Sequence, residues 1–203
     1  VKAQALRMAG LNWCWLPFAL LFASPILQLR FVRETPAQWW WSFPAQIVAS
    51  FVVDDVWFYA YHRYLHEHPK LYILYHKPHH VFTAPCAWTS HAVHPVEMLL
   101  QSIGTMAGPL LFAFSLPQLW IWMALRQLQG VLDHIGIDCP FDPLHYIPGV
   151  GGTVFHDDHH RVFTKNYASC FSVIDDLFGT RYHPEESELE RVRGEKAAAA
   201  SVL

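Results

Sequence analysis

Charge is scarce in this 203-residue sequence: Asp, Glu, Lys and Arg together make up 15%, against about a quarter in an ordinary globular chain. The net charge is −3, so there is no general basic surface and nucleic acid is excluded as a partner. The four cysteines (Cys14, Cys86, Cys139, Cys170) form no C-x-x-C, which points to neither a disulfide framework nor a thiolate zinc site. A dinucleotide-binding G-x-G-x-x-G is missing, and Gly149-Val150-Gly151-Gly152 reads as a turn. H-E-x-x-H is missing too, since Glu67 is followed by His68-Pro69, which counts against a membrane zinc hydrolase. No repeat recurs at solenoid spacing. What abounds is hydrophobic residue, 53% of the chain with nine Trp, and histidine, fourteen in all. Such a chain is not disordered, and its length suits a single domain over 1–203.

The apolar residues fall in long runs. Residues 9–29 carry no charge and would reach roughly 31 Å as a helix, enough for the hydrocarbon core of a bilayer. Lys2 and Arg7 ahead of that run also fit a signal peptide, but no small-x-small cleavage site follows. The chain opens without an initiator Met, from which we expect that its natural amino terminus lies upstream. Further spans are expected at 39–61, opening on a Trp cluster suited to a membrane interface, and at 96–115 and 117–133. Pro117 fits the first turn of the last of these helices. Asp54 and Asp55 inside the second run, and Arg126 in the last, are the costly exceptions and hint at function. The expected fold is therefore all-α and integral to the membrane, with about four helices in two hairpins. A His-rich cap would comprise 62–95 and 134–183, followed by a polar tail at 184–203. Only Arg30 and Arg33 lie between the first two spans, while Lys2, Arg7, Arg63, Lys70, Lys77, Arg161, Lys165 and others lie elsewhere. The positive-inside rule puts that larger set, and both halves of the cap, on one cytosolic face.

Most histidines fall on that face in patterned clusters. His62 and His66 stand at i and i+4; His76, His79 and His80 stand at i, i+3 and i+4; and His156, His159 and His160 repeat the second pattern. On a helix these spacings share a side, so each cluster offers two or three imidazoles converging on a point. Imidazole suits iron, zinc, copper and nickel alike. Eight such ligands exceed what one ion takes, which implies two. Left uncoordinated, so many buried neighbours would depress one another's pKa and leave donors unsatisfied. Asp55, two turns before His62, together with Asp133 and Asp157, are candidates to orient ligands from behind. His68, His91, His145 and His183 read as ordinary packed or hydrogen-bonded residues.

The H-x-x-x-H, H-x-x-H-H and H-x-x-H-H boxes after apolar hairpins resemble the fatty acid hydroxylase/sterol desaturase superfamily. YHKPHHVFTAP (75–85), AVHPVE (92–97), DHIGID (133–138) and NYASCFSVIDDLFGT (166–180) resemble its sterol C-4 methyl oxidase branch. The resemblance covers about 50–180. It implies a metal-ligand set of His62, His66, His76, His79, His80, His156, His159 and His160, with His134 as a ninth and His94 as a further candidate. It also implies two irons, for which zinc can substitute, and O₂. Electrons would come from NAD(P)H through cytochrome b5 or a similar partner, and Lys70, Lys77, Arg161 and Lys165 could dock an acidic donor. The implied reaction is oxidation of an unactivated C–H in a sterol or other lipid, most simply the C-4 methyl group. The implied location is the endoplasmic reticulum membrane of a eukaryotic cell. Another lipid hydroxylase or a sterol C-5 desaturase is the nearest alternative. A His-rich metal transporter is the non-enzyme one, but it would carry ligands mid-span, whereas these sit at span ends. Thr89-Ser90-His91-Ala92-Val93-His94-Pro95 departs from the A-E-Y-A-H-P usual in the C-4 methyl oxidases, and Pro78 is unusual within its box.

Overall fold

The computed structural model describes residues 39–137 and 146–185, together with Ala3, Leu6, Arg7, Met8, Gly10 and Asn12. All but two residues of the expected first span, nearly all of the tail, and Cys14, Cys139 and His145 lie outside the described residues. Within them the chain is mostly helical and contains no strand. We number the principal helices α1 (Trp39–Glu67), α2 (Pro95–Leu111), α3 (Leu116–Leu132), α4 (Gly152–Val162) and α5 (Ser172–Phe178). Between α1 and α2 the chain makes a short helical stretch: Pro69–Leu71, a π-helical turn at Tyr72–His76, and Lys77–His80.

Helix boundaries follow local chemistry. His94 caps α2, its Nδ1 accepting the Val96 N–H, and Pro95 occupies the first turn, where a missing N–H costs least. Ser115 and Gln118 form a capping box at the start of α3, with Pro117 in the first turn as expected. The three apolar runs at 39–61, 96–115 and 117–133 thus become α1, α2 and α3. Among the described residues, however, no helix is long and apolar enough to cross a membrane. The physical reasons differ: α2 and α3 stop at 17 residues each, about 25 Å, whereas α1 has the length but carries Asp54 and Asp55.

α1 and α2 pack at very close range because two glycines four residues apart remove the side chains between them. A Cβ on Gly104 would lie 2.7 Å from the Trp57 ring, and one on Gly108 would lie 2.5 Å from Ser50 Cβ. α3 closes the core with Trp122, fully buried beside Phe43, Phe114 and Leu119. Pro109 has no N–H to give the Thr105 carbonyl, and the Trp122 indole N–H fills that place at 2.8 Å. Asp54, the first of the two costly carboxylates, pairs with Arg126 of α3, and Gln129 also bonds the guanidinium. Both charges are buried, and their partners come from a different helix.

Candidate metal centre

The eight histidines of the boxes, together with His134, sort into two groups. His62, His66, His76, His80 and His159 form one; His79, His134, His156 and His160 form the other. Within each group, one nitrogen of every ring lies within 4.8 Å of all the others. The segments 62–80 and 156–160 therefore meet, with His80 Nε2 3.1 Å from His159 Nε2.

Each H-x-x-H-H box divides between the two groups rather than converging on one point. His76 and His80 join the first group and His79 the second; His156 and His160 join the second and His159 the first. At 100° per residue, the i+3 side chain sits about 60° to one side of i, and i+4 about 40° to the other. The i, i+4 pair therefore stays together while the i+3 ring reaches the neighbouring group. The box pattern thus ties the two groups to each other.

Proton placement identifies which nitrogens are free to coordinate. A carbonyl can only accept, so His62 Nδ1–H donates to Tyr167 O at 2.7 Å, His159 Nδ1–H to Lys165 O at 2.7 Å, and His134 Nδ1–H to Gly130 O at 2.8 Å. His76 Nδ1–H donates to the Glu97 carboxylate at 2.8 Å. Each neutral ring is left with a bare lone pair on Nε2. In the first group the lone pairs of His62 and His76 face each other, Nε2 to Nε2 at 2.9 Å, and His80 Nε2 lies 2.9 Å from His76 Nε2. Lone pairs so placed repel unless a cation sits among them. In the second group His156 is buried with neither ring nitrogen hydrogen-bonded. Both features fit metal ions, and the all-nitrogen donor set suits a transition metal.

The rings are also held neutral. Burial, followed by the neighbouring imidazoles, keeps His62, His76, His79, His80, His156 and His160 well below the ordinary imidazole value. Burial brings His134 and His159 down to about 4. A deprotonated donor is what a metal requires.

The carboxylates named from sequence have other occupations. Asp55 lies seven residues from His62, about 10 Å along the helix axis, too far to reach its ring. It accepts the backbone N–H groups of Ser169, Cys170 and Phe171 instead. Asp133 takes bonds from the side chains of Gln129 and Ser169. Asp157 is partly exposed and belongs to neither group, and His94 serves as the cap of α2. His68 bonds the Tyr64 carbonyl, an ordinary hydrogen-bonded role.

Asp55 nevertheless contributes to the site. Together with Asp175, which accepts from the N–H groups of Tyr167 and Ala168, it pins the 166–171 loop from both sides. That loop presents Tyr167 O to His62. Sequence reasoning missed Glu97 as the carboxylate behind an imidazole. The signal was there, since Glu97 is the lone charged residue of 96–115 and is buried. Also missed was a cavity of about 430 Å³ between α2 and α3, whose wall includes Phe58, Val93, Met98 and Met106 together with His134 and His156.

The fatty acid hydroxylase family model matches residues 47–180. Methylsterol monooxygenase 1 of Gallus gallus is 37% identical over 150 residues, covering 71% of this chain and 50% of that protein. Methylsterol monooxygenase 1 of Danio rerio is 40% identical over 136 residues, covering 67% and 46%. A very-long-chain aldehyde decarbonylase of Oryza sativa subsp. indica is 43% identical over 165 residues, covering 79% and 62%. The chain thus spans about half the length of the two monooxygenases. No solved structure matches it. A family model that takes in all three histidine boxes and the loop behind them places this chain in the fatty acid hydroxylase family.

Proposed function

We propose that this chain is the membrane-embedded hydroxylase domain, over 1–203, of an O₂-dependent sterol oxygenase acting most simply on a C-4 methyl group. The observation that carries the reading is that the second imidazole group, which packs against the first, lines an apolar-walled cavity through His134 and His156. The cavity volume falls in the range usual for small-molecule sites. His62, His66, His76, His80 and His159 would hold one iron, and His79, His134, His156 and His160 the other. Irons held there would supply the redox chemistry with O₂ that an unactivated C–H demands. The protein's part is positioning. Backbone carbonyls and Glu97 fix ring tautomers, burial keeps the rings neutral, and Phe58, Val93, Met98 and Met106 exclude water from the lipid.

Membrane association is supported by rows of exposed apolar side chains: Val48, Val52 and Val56 on α1, Leu99 and Ile103 on α2, and Ile121, Leu125 and Leu128 on α3. We read these as lipid-facing, with the imidazoles toward the cytosol and, in a eukaryote, the endoplasmic reticulum as the membrane. Electrons from NAD(P)H would arrive through cytochrome b5 or a similar donor. Exposed Lys70 and Lys77 are the candidate docking charges, while Arg161 is paired with Asp158 and Lys165 bonds the Gly179 carbonyl. The rice decarbonylase similarity favours a second reading, in which a long-chain aldehyde is the substrate.

Mass spectrometry of lipids after expression in a strain lacking its own C-4 methyl oxidase tests the proposal. Loss of the accumulated 4-methyl sterols by the wild type, but not by His156→Ala, is the expected result. Persistence of those sterols despite good expression would overturn the sterol reading, and consumption of long-chain aldehydes would establish the second.

A further inference from the structure

Beyond the imidazole groups and the Asp54–Arg126 network, the cavity wall carries another polar cluster: Ser90, His91 and Gln127. The Ser90 hydroxyl donates to the Ala87 carbonyl at 2.9 Å, so its oxygen accepts from His91 Nδ1–H at 2.9 Å. His91 Nε2 then carries the lone pair and accepts from the Gln127 amide at 3.0 Å. Burial holds the His91 pKa down and so favours this neutral ring. The backbone beneath is held as well, because the Asn12 amide donates to both His91 O and Val93 O, at 2.8 and 2.9 Å.

This chain of donors leaves Gln127 with one amide hydrogen and its carbonyl oxygen, neither engaged in another hydrogen bond to the described residues. One donor beside one acceptor is the complement of a hydroxyl, which both accepts and donates. A ketone or aldehyde oxygen answers only the donor, and a hydrocarbon answers neither. The cluster shares its cavity with His134 and His156. The other hydroxyls of that wall are taken up locally: Ser102 bonds Leu99 O, Thr105 bonds Gln101 O and Asp54, and Ser169 bonds Asp133.

We propose that Gln127, oriented by His91 and Ser90, binds a hydroxyl group of the lipid substrate and so holds the carbon close to that hydroxyl against His134 and His156. Gln127 is then a specificity-determining residue, and the substrate class narrows to lipids hydroxylated near the reacting carbon. The proposal rests on the lipid-oxygenase reading. A C-4 methyl sterol satisfies it, since a 3-hydroxyl sits on the adjoining ring carbon. It also gives the Ser90-His91 departure from the usual C-4 methyl oxidase pattern a role in recognition.

Equilibrium binding to the metal-loaded full chain in detergent, without O₂ or reductant so that nothing turns over, provides the test. The probes are two pairs: a 3-hydroxy-4-methyl sterol with its 3-deoxy counterpart, and a long-chain primary alcohol with its alkane. The wild type should prefer the hydroxylated member by about ten- to a hundredfold. Gln127→Leu should erase that preference by weakening the hydroxylated ligand alone, and His91→Phe should reduce it. Gln127 is exposed on α3 and Leu is a good helix former, so unchanged metal content will confirm that the variant folds. Gln101→Leu, which removes the other amide in the wall, should retain the preference. A wild type that shows no preference in either pair, a Gln127→Leu variant that keeps it, or loss of it through Gln101→Leu would each overturn the proposal. A preference in the alcohol pair with no sterol binding would support the hydroxyl site while removing the sterol reading.

Discussion

Glu97 gives the sharpest perturbation of the metal centre that leaves every imidazole in place. Its Oε1 receives His76 Nδ1–H at 2.8 Å, and its other oxygen is buried without a hydrogen bond. Leaving a buried N–H without its acceptor costs about 1–3 kcal/mol, and each 1.4 kcal/mol is tenfold in affinity. Removing it should weaken the first metal site by about ten- to a hundredfold, the range typical when a ligand loses its outer partner. Glu97→Gln keeps an oxygen to accept the proton and belongs near tenfold. Glu97→Ala leaves the N–H buried and unpaired and belongs near a hundredfold. The second group, His79, His134, His156 and His160, makes no hydrogen bond to Glu97 and should keep its affinity. Titration against a competing chelator, read as two separate binding steps, measures both sites at once. Equal weakening of the two steps, or wild-type affinity in Glu97→Ala, would refute the assignment.

Other consequences can be measured on stability. With metal removed, His134 and His159 titrate near 4 in the folded chain against an ordinary 6.5 when unfolded, so below 6.5 the unfolded state takes up more protons. Stability is therefore full above pH 6.5 and falls as the pH drops toward 4, by about 3 kcal/mol per ring; a thermal midpoint that is flat from pH 7 to 4.5 would contradict this. Asp55→Ala strands three backbone N–H groups of 169–171 and should cost at least about 3 kcal/mol, with faster hydrogen exchange confined to that loop. Gly108→Ala drives a methyl into Ser50 and should lower the unfolding midpoint through about 1–3 kcal/mol of overpacking, partly restored by adding Ser50→Gly.

The histidine pattern was legible because helical periodicity acts locally: spacing alone puts i and i+4 on one face, and His62/His66, His76/His80 and His156/His160 do stay together. The crossing of His79 and His159 to the opposite group was not legible, because it depends on how three helical segments turn toward one another. The roles of Asp54 and Asp55 were half legible. Carboxylates in an apolar run announce that partners exist, but Arg126 lies 72 residues from Asp54, and the Ser169 N–H lies 114 from Asp55. Glu97 escaped notice because the AVHPVE motif drew attention to its histidine, which turned out to be a helix cap. The cavity depends on side-chain packing between α2 and α3, which no pattern of residue types encodes.

The central claim, that nine imidazoles form two separate metal sites, is tested most directly by counting metal on the chain purified from iron-replete cells. About two ions per chain in the wild type and about one in a His156→Ala/His160→Ala double variant is the predicted result. A wild type holding a single ion or none, or a double variant that still holds two, would contradict it.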